Sequence, residues 1–252
     1  AAIYSGINSK EDLNAAQKEN LDSIKSSEIG LQYNAAMADL DHGKYSDAVD
    51  GFSKVIVTDP NYKNVLYRRA DCYHKQDQFE NSIEDLNLYI DKLPEINNAY
   101  YIRAECYYAI DQWEKAIVDY TKYLSFGNVD IKDCYHMRGD CFRFKQAYYE
   151  STQDYSTFIK SQPSENLELV LINRGKNYIE LKEFDLAIED FSSVTELNPK
   201  NDIAVSLYYQ TVEKMSDEGW ISDIDVDERE KSQPDVPIYN WHVAIPETAA
   251  LE

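Results

Sequence analysis

The stretch YRRADCYHKQDQF, Tyr67 to Phe79, holds two arginines, an aspartate, a cysteine, a histidine and a lysine. Three kinds of chemistry use such a set. A thiol or imidazole can act as nucleophile or base. Cysteine and histidine can hold a metal. Arginine and aspartate can bind charge or pair with each other. Each requires partners at a set spacing. The four histidines, His42, His74, His136 and His242, have no Ser, Cys or carboxylate at a recognised catalytic spacing. No GxGxxG, P-loop, HExxH or GxSxG motif occurs. Cys134 and Cys141 are seven apart and would share a helix face, where His136 or Met137 could join a thiol–metal cluster. Zinc ligands, however, usually come as CxxC-like pairs in turns, and none is present. The residue set therefore predicts no enzyme, no cofactor and no metal.

The stretch has siblings along the chain. YNAAMADLDHGKY starts at Tyr33, YIRAECYYAIDQW at Tyr101, HMRGDCFRFKQAY at His136 and INRGKNYIELKEF at Ile172. A second amphipathic run follows each. Aligned on one small residue, the register is Ala48, Ser82, Ala116, Ser151 and Ala187, at intervals of 34, 34, 35 and 36. A fixed period in this range marks stacked helical repeats. With that residue numbered position 20, position 8 is small throughout: Ala36, Ala70, Ala104, Gly139 and Gly175. Position 11 is Tyr73, Tyr107, Phe142 and Tyr178, with Asp39 departing in the first repeat. Position 24 is Phe52, Leu86, Tyr120, Tyr155 and Phe191, and position 32 is Pro60, Pro94, Asn128, Pro163 and Pro199. Small residues let two helices approach, large ones fill the space beside them, and proline stops the second helix.

This pattern resembles the tetratricopeptide repeat (TPR) family over residues 29–201. The resemblance implies an all-α, right-handed superhelical solenoid of antiparallel helix pairs with a concave groove. Five repeats are expected (29–62, 63–96, 97–131, 132–167 and 168–201), followed by a capping helix at 202–215 and an acidic, proline-containing tail at 216–252. Residues 1–28 read as a leader or an extra helix.

The register divides the charges. Position 7 is Arg69, Arg103, Arg138 and Arg174, and position 23 is Asp85, Asp119, Asp154 and Asp190. The first repeat has Ala35 and Gly51 instead, so both charges are missing together. Joint presence and absence favour a ladder of Arg–Asp pairs, within or between repeats, over four binding arginines. Cys72, Cys106 and Cys141 all occupy position 10, which favours small apolar packing over reactive thiols.

In the family, positions 2, 5, 6, 9, 12 and 13 of the first helix face the groove. Carried over residue by residue, the expected partner-binding surface is Tyr33, Tyr67, Tyr101 and His136 at position 5, with Arg68, Ile102 and Met137 at position 6. Position 9 adds Asp71, Glu105 and Asp140, and position 12 adds His74, Tyr108 and Arg143. Tyrosine offers rigid area with a polar tip. A row of acids would favour Lys or Arg in a ligand. The competing reading is that some tyrosines merely pack on each other. Relatives that clamp the C-terminal carboxylate of heat-shock chaperones need Lys and Asn at set groove positions. No three consecutive repeats here supply them, so no clamp is expected.

Composition agrees with a protein partner. The net charge is -21 with pI near 4.5, which opposes nucleic acid and anionic membranes. A protein or peptide with basic and apolar residues fits better, and no apolar run approaches the roughly 20 residues of a membrane span. Trp220, Ile221, Ile238, Tyr239 and Trp241 in the tail could dock on the repeats, form a recognition motif or be disordered. The expected function is a non-catalytic interaction scaffold or adaptor. The alternatives are a self-assembling structural subunit, or the TPR part of a larger co-chaperone that lacks the clamp. No HPD tripeptide of a J domain occurs. A soluble, cytoplasmic protein is expected. A secreted or organellar location stays open because the sequence starts at Ala1.

Overall fold

The computed structural model describes residues 10–127, 132–161, 165–217 and 219. Among the described residues, every regular element is an α-helix. The helices are α1 (Lys10–Asp41), α2 (Tyr45–Thr58), α3 (Val65–His74), α4 (Phe79–Lys92), α5 (Asn97–Ala109), α6 (Trp113–Ser125), α7 (Lys132–Phe144), α8 (Tyr148–Lys160), α9 (Leu167–Glu180), α10 (Phe184–Leu197) and α11 (Asp202–Asp217). The chain divides into two compact units, 1–147 and 148–252. In the first, each helix from α1 to α7 packs on the next, and α5 also touches α3 and α7. In the second, α8 packs on α9, α9 on α10 and α10 on α11.

The small and large register positions build the core. Ala36, Ala70, Ala104, Ala48, Ala116 and Ala187 are buried, and Phe52, Leu86, Tyr120, Tyr155 and Phe191 at position 24 are fully so. Ser82 satisfies its buried hydroxyl by donating to the Ala70 carbonyl at 2.9 Å, across the same helix pair. Position 8 has no room for more. A Cβ on Gly175 would lie 2.6 Å from the Phe191 ring. In the first pair the closest approach moves to Gly51, where a Cβ would meet that of Ala36 at 2.7 Å. The missing aspartate at position 23 is thus a steric consequence as well as a lost charge.

The turns inside the repeats share a feature that the residue types conceal. Position 15 is left-handed in all five: Gly43 (φ 72°), Asp77 (57°), Asp111 (59°), Gln146 (58°) and Lys182 (61°). The following N–H reaches back five residues in each case: Lys44 to Asp39, Gln78 to Tyr73, Gln112 to Tyr107, Ala147 to Phe142 and Glu183 to Tyr178, at 2.8–2.9 Å. This ends the first helix with its last carbonyls satisfied. Only the first repeat uses glycine for it.

At the N-terminal side the helix of the first repeat is longer than its register. α1 runs unbroken from Lys10, so residues 10–28, read as leader or extra helix, continue the helix that carries Tyr33. The side chains from Ser23 to Glu28 are exposed, and Ile29 is buried. At the other end α11 covers α10, with Ala204, Tyr208, Val212 and Met215 buried. The tail residues Trp220, Ile221, Ile238, Tyr239 and Trp241 lie outside the described residues.

Candidate functional site

The arginines at position 7 resolve first. Arg69 donates from Nε and Nη2 to both carboxylate oxygens of Asp85, each at 2.7 Å. Arg103 does the same to Asp119 at 2.7 and 2.8 Å, and Arg174 to Asp190 at 2.9 and 2.6 Å. The three aspartate side chains are 4% exposed. Burial pushes the Asp190 carboxyl up, against the pull of Arg174. The remaining donor, Nη1, goes to position 25 on the preceding repeat's second helix. It reaches Ser53 from Arg69, Asn87 from Arg103, Thr121 from Arg138 and Ser156 from Arg174, at 2.7–2.9 Å. The aromatic at position 11 lies against each guanidinium, with ring centroids 5.6–5.9 Å away at Tyr73, Tyr107, Phe142 and Tyr178. In Arg69, Arg103 and Arg174 all three donor nitrogens and a ring are engaged, so these arginines hold helices together. The acceptor at position 25 was missed in the sequence because Ser, Asn and Thr vary there.

The expected binding surface lies on α1, α3, α5 and α7 of the first unit, and its members differ in access. Tyr33 is only 7% exposed; it packs against Phe52 and Tyr62 and donates to Asn64 Oδ1 at 2.6 Å. Ile102 is 9% exposed and sits in the core. Met137 is half-buried against the same core. Tyr67 is half-buried on Tyr89, ring centroids 5.5 Å apart, and lies beside Asn98. Tyr101 lies against Tyr120 and Tyr123 at 6.0 and 5.0 Å. Both Asn64 and Asn98 occupy position 2, so Tyr33 and Tyr67 each bind the repeat that follows. The tyrosine ladder is therefore partly packing, as the competing reading held.

The acids of position 9 also have internal partners. Glu105 lies beside the Tyr101 hydroxyl and 3.7 Å from His74 Nε2. Asp140 accepts from Tyr108 at 3.3 Å and lies 3.4 Å from His136 Nε2 and 3.9 Å from Arg143 Nε. His136 and Asp140 are each 7% exposed. Burial pushes the Glu105 carboxyl up. It holds the His74 imidazole down, helped by Lys75. Burial, then the neighbouring carboxylates, raise the Tyr101 and Tyr108 hydroxyls well above the usual phenol range. Asp71 has no ion pair within 4.0 Å among the described residues, and neither has Arg68, whose guanidinium lies 5.6 Å from the Tyr67 ring centroid.

One feature of this surface was missed in the sequence. Phe144 is 44% exposed and stacks on Trp113 at 4.5 Å, and the Arg143 guanidinium lies 4.5 Å from its ring centroid. The signal was there: position 13 is aromatic only in the fourth repeat. The four cysteines are all buried and unpaired by disulfide, and burial pushes the Cys72 thiol up to about 12 and Cys106 to about 11. No cluster of three or more potential metal ligands occurs among the described residues. No helix among them is long and apolar enough to cross a membrane.

Comparison with known proteins follows the same register. Residues 33–95, 98–125 and 170–201 each match the tetratricopeptide repeat family. Among solved structures, the MamA protein is similar at 18% identity and TM-score 0.61, over 77% of this chain and 96% of that one. YrrB, described as a TPR protein with an unusual peptide-binding site, is similar at 13% identity and TM-score 0.62, over 69% and 89%. The C-terminal part of a TPR repeat-containing protein from Cytophaga hutchinsonii gives 19% identity and TM-score 0.59, over 80% and 73%. These identities speak to fold alone. No curated protein matches in sequence. The repeated register, the helix pairs it builds and the three family matches agree: this chain belongs to the tetratricopeptide repeat family.

Proposed function

We propose that the protein is a non-catalytic interaction scaffold that holds a partner segment against the first-helix surface of α1, α3, α5 and α7. The observation that carries this reading is the line of half-exposed polar and aromatic side chains from Tyr67 and Arg68 through Asp71 and His74 to Tyr108 and Arg143. Core packing does not require charges at those positions. The preference for a basic partner narrows to Asp71, since Glu105 and Asp140 are engaged internally. Arg68, over Tyr67, adds an unpaired cation beside it, so a segment bearing both signs and an apolar residue fits this end. YrrB, which is described as binding peptide, has the same fold, and that supports the reading by analogy.

Replacing Tyr101 with alanine would disturb Tyr120 and Tyr123, so the test uses charge reversal at accessible sites. Affinity capture with quantitative mass spectrometry should recover one set of partners with wild type. Arg68→Glu/Asp71→Lys should lose that set while its melting temperature and sedimentation stay unchanged. Equal recovery by both proteins would refute the placement.

A further inference from the structure

A second binding feature lies off this surface, where the loop after α2 meets the end of α4. Leu66, Tyr89 and Leu93 wall a cavity of about 180 Å³, with Asn61, Lys63 and Lys92 at its rim. One repeat further on, the same place is filled. Position 30 is Phe126 there instead of Lys92, and its ring packs at 5.9 Å on Tyr100, which replaces Leu66. Lys122 closes over Phe126 at 4.7 Å. The cavity is thus a product of this repeat's own residues.

Two lysines stand at its edge in a chain of net charge -21. Lys92 Nζ donates to the neutral Asn61 Oδ1 at 2.6 Å. Lys63, in a left-handed backbone (φ 47°), lies over the Tyr33 and Tyr62 rings at 4.7 and 5.2 Å. Among the described residues neither lysine has a carboxylate within 4.0 Å, in a chain of net charge -21. Two exposed ammonium groups without acidic partners flank an apolar hole. The volume is below that of a drug-sized ligand site and suits a single aliphatic side chain.

We propose that this cavity docks a partner segment in which one aliphatic side chain is flanked on both sides by carboxylates, as in Asp-Leu-Glu. The probe is a fluorescein-labelled peptide with an Asp-Leu-Glu core and an amidated C-terminus, titrated into the full chain by anisotropy. Binding should weaken at least tenfold when the core is Asn-Leu-Gln or Asp-Ala-Glu. It should weaken equally in Lys63→Glu and in Lys92→Phe, which copies the filled neighbour and should keep the wild-type melting curve. Arg68→Glu/Asp71→Lys should leave it unchanged, which separates this site from the first. Absence of binding, less than threefold discrimination, or binding only of a peptide with a free C-terminus would overturn the proposal. So would a wild-type dimer in sedimentation that Lys92→Phe abolishes, because the occupant would then be a second copy.

Discussion

Glu105 carries the most informative charge on the candidate surface. Its carboxyl is raised above the ordinary value near 4.5 because burial disfavours the anion, and the neighbouring Tyr101 hydroxyl only partly offsets this. The folded chain therefore binds this proton more readily than the unfolded one. The stability so gained is full below the unfolded value and is lost as pH rises through the folded one. Glu105→Gln should raise the melting temperature at pH 7, with the gain vanishing below about pH 4.5. His74 runs oppositely. Its folded value lies below the ordinary 6.5, so stability is present above that pH and is lost as pH falls through the folded value. His74→Gln should melt higher than wild type on the acid side of pH 6.5 and alike above it. Melting curves of both variants across pH 4–8 check both signs. A Glu105→Gln gain that grew on acidification would contradict the assignment to burial.

Among elements, the arginine at position 7 sets how helices are joined. Arg103→Ala leaves Asp119 buried without its bidentate donor and frees Asn87 on the preceding repeat. The expected loss is about 3 kcal/mol, near the lower end for breaking a buried pair because Arg103 is partly exposed. Arg68→Ala, one residue from the equivalent Arg69, should change stability by no more than about 0.5 kcal/mol. Denaturant titration of the two variants distinguishes a structural ladder from a binding one; equal effects would remove the distinction. These pairs were legible in the sequence because two charges appear and disappear together. The left-handed turns were not. Asp77, Asp111, Gln146 and Lys182 carry no glycine signal, and the conformation is imposed by the way the helices on either side pack. Ile102 and Tyr33 show the same limit on the surface. Register places them on the first helix's outward positions, but how deeply each sinks depends on neighbours such as Tyr62 and Phe52, which sequence spacing does not locate.

For the whole molecule, what sequence conveys is the repeat. A position matched across the copies identifies core and paired charge, and the individual candidate site is far less determined because it is built from residues that differ between copies. The cysteines illustrate a property of the assembled chain. All four are buried, and two are pushed far above the range in which a thiolate forms. The folded protein should not react with a thiol reagent such as DTNB at pH 8 over minutes, and should release four equivalents per chain in guanidinium. Rapid labelling of the native protein would show that the helix layers open locally.

The third donor of each position-7 arginine has a consequence for cooperativity. Because Arg69, Arg103 and Arg174 each bridge both helices of their own repeat and the second helix of the repeat before it, opening one of these repeats also breaks a bond in its neighbour. Unfolding in such an array is governed by nearest-neighbour coupling as much as by the stability of each member. Amide hydrogen exchange under native conditions should therefore group α3 through α6 into one protection class, held by Arg69 and Arg103. The segment 23–28 of α1, whose side chains are exposed, should exchange first.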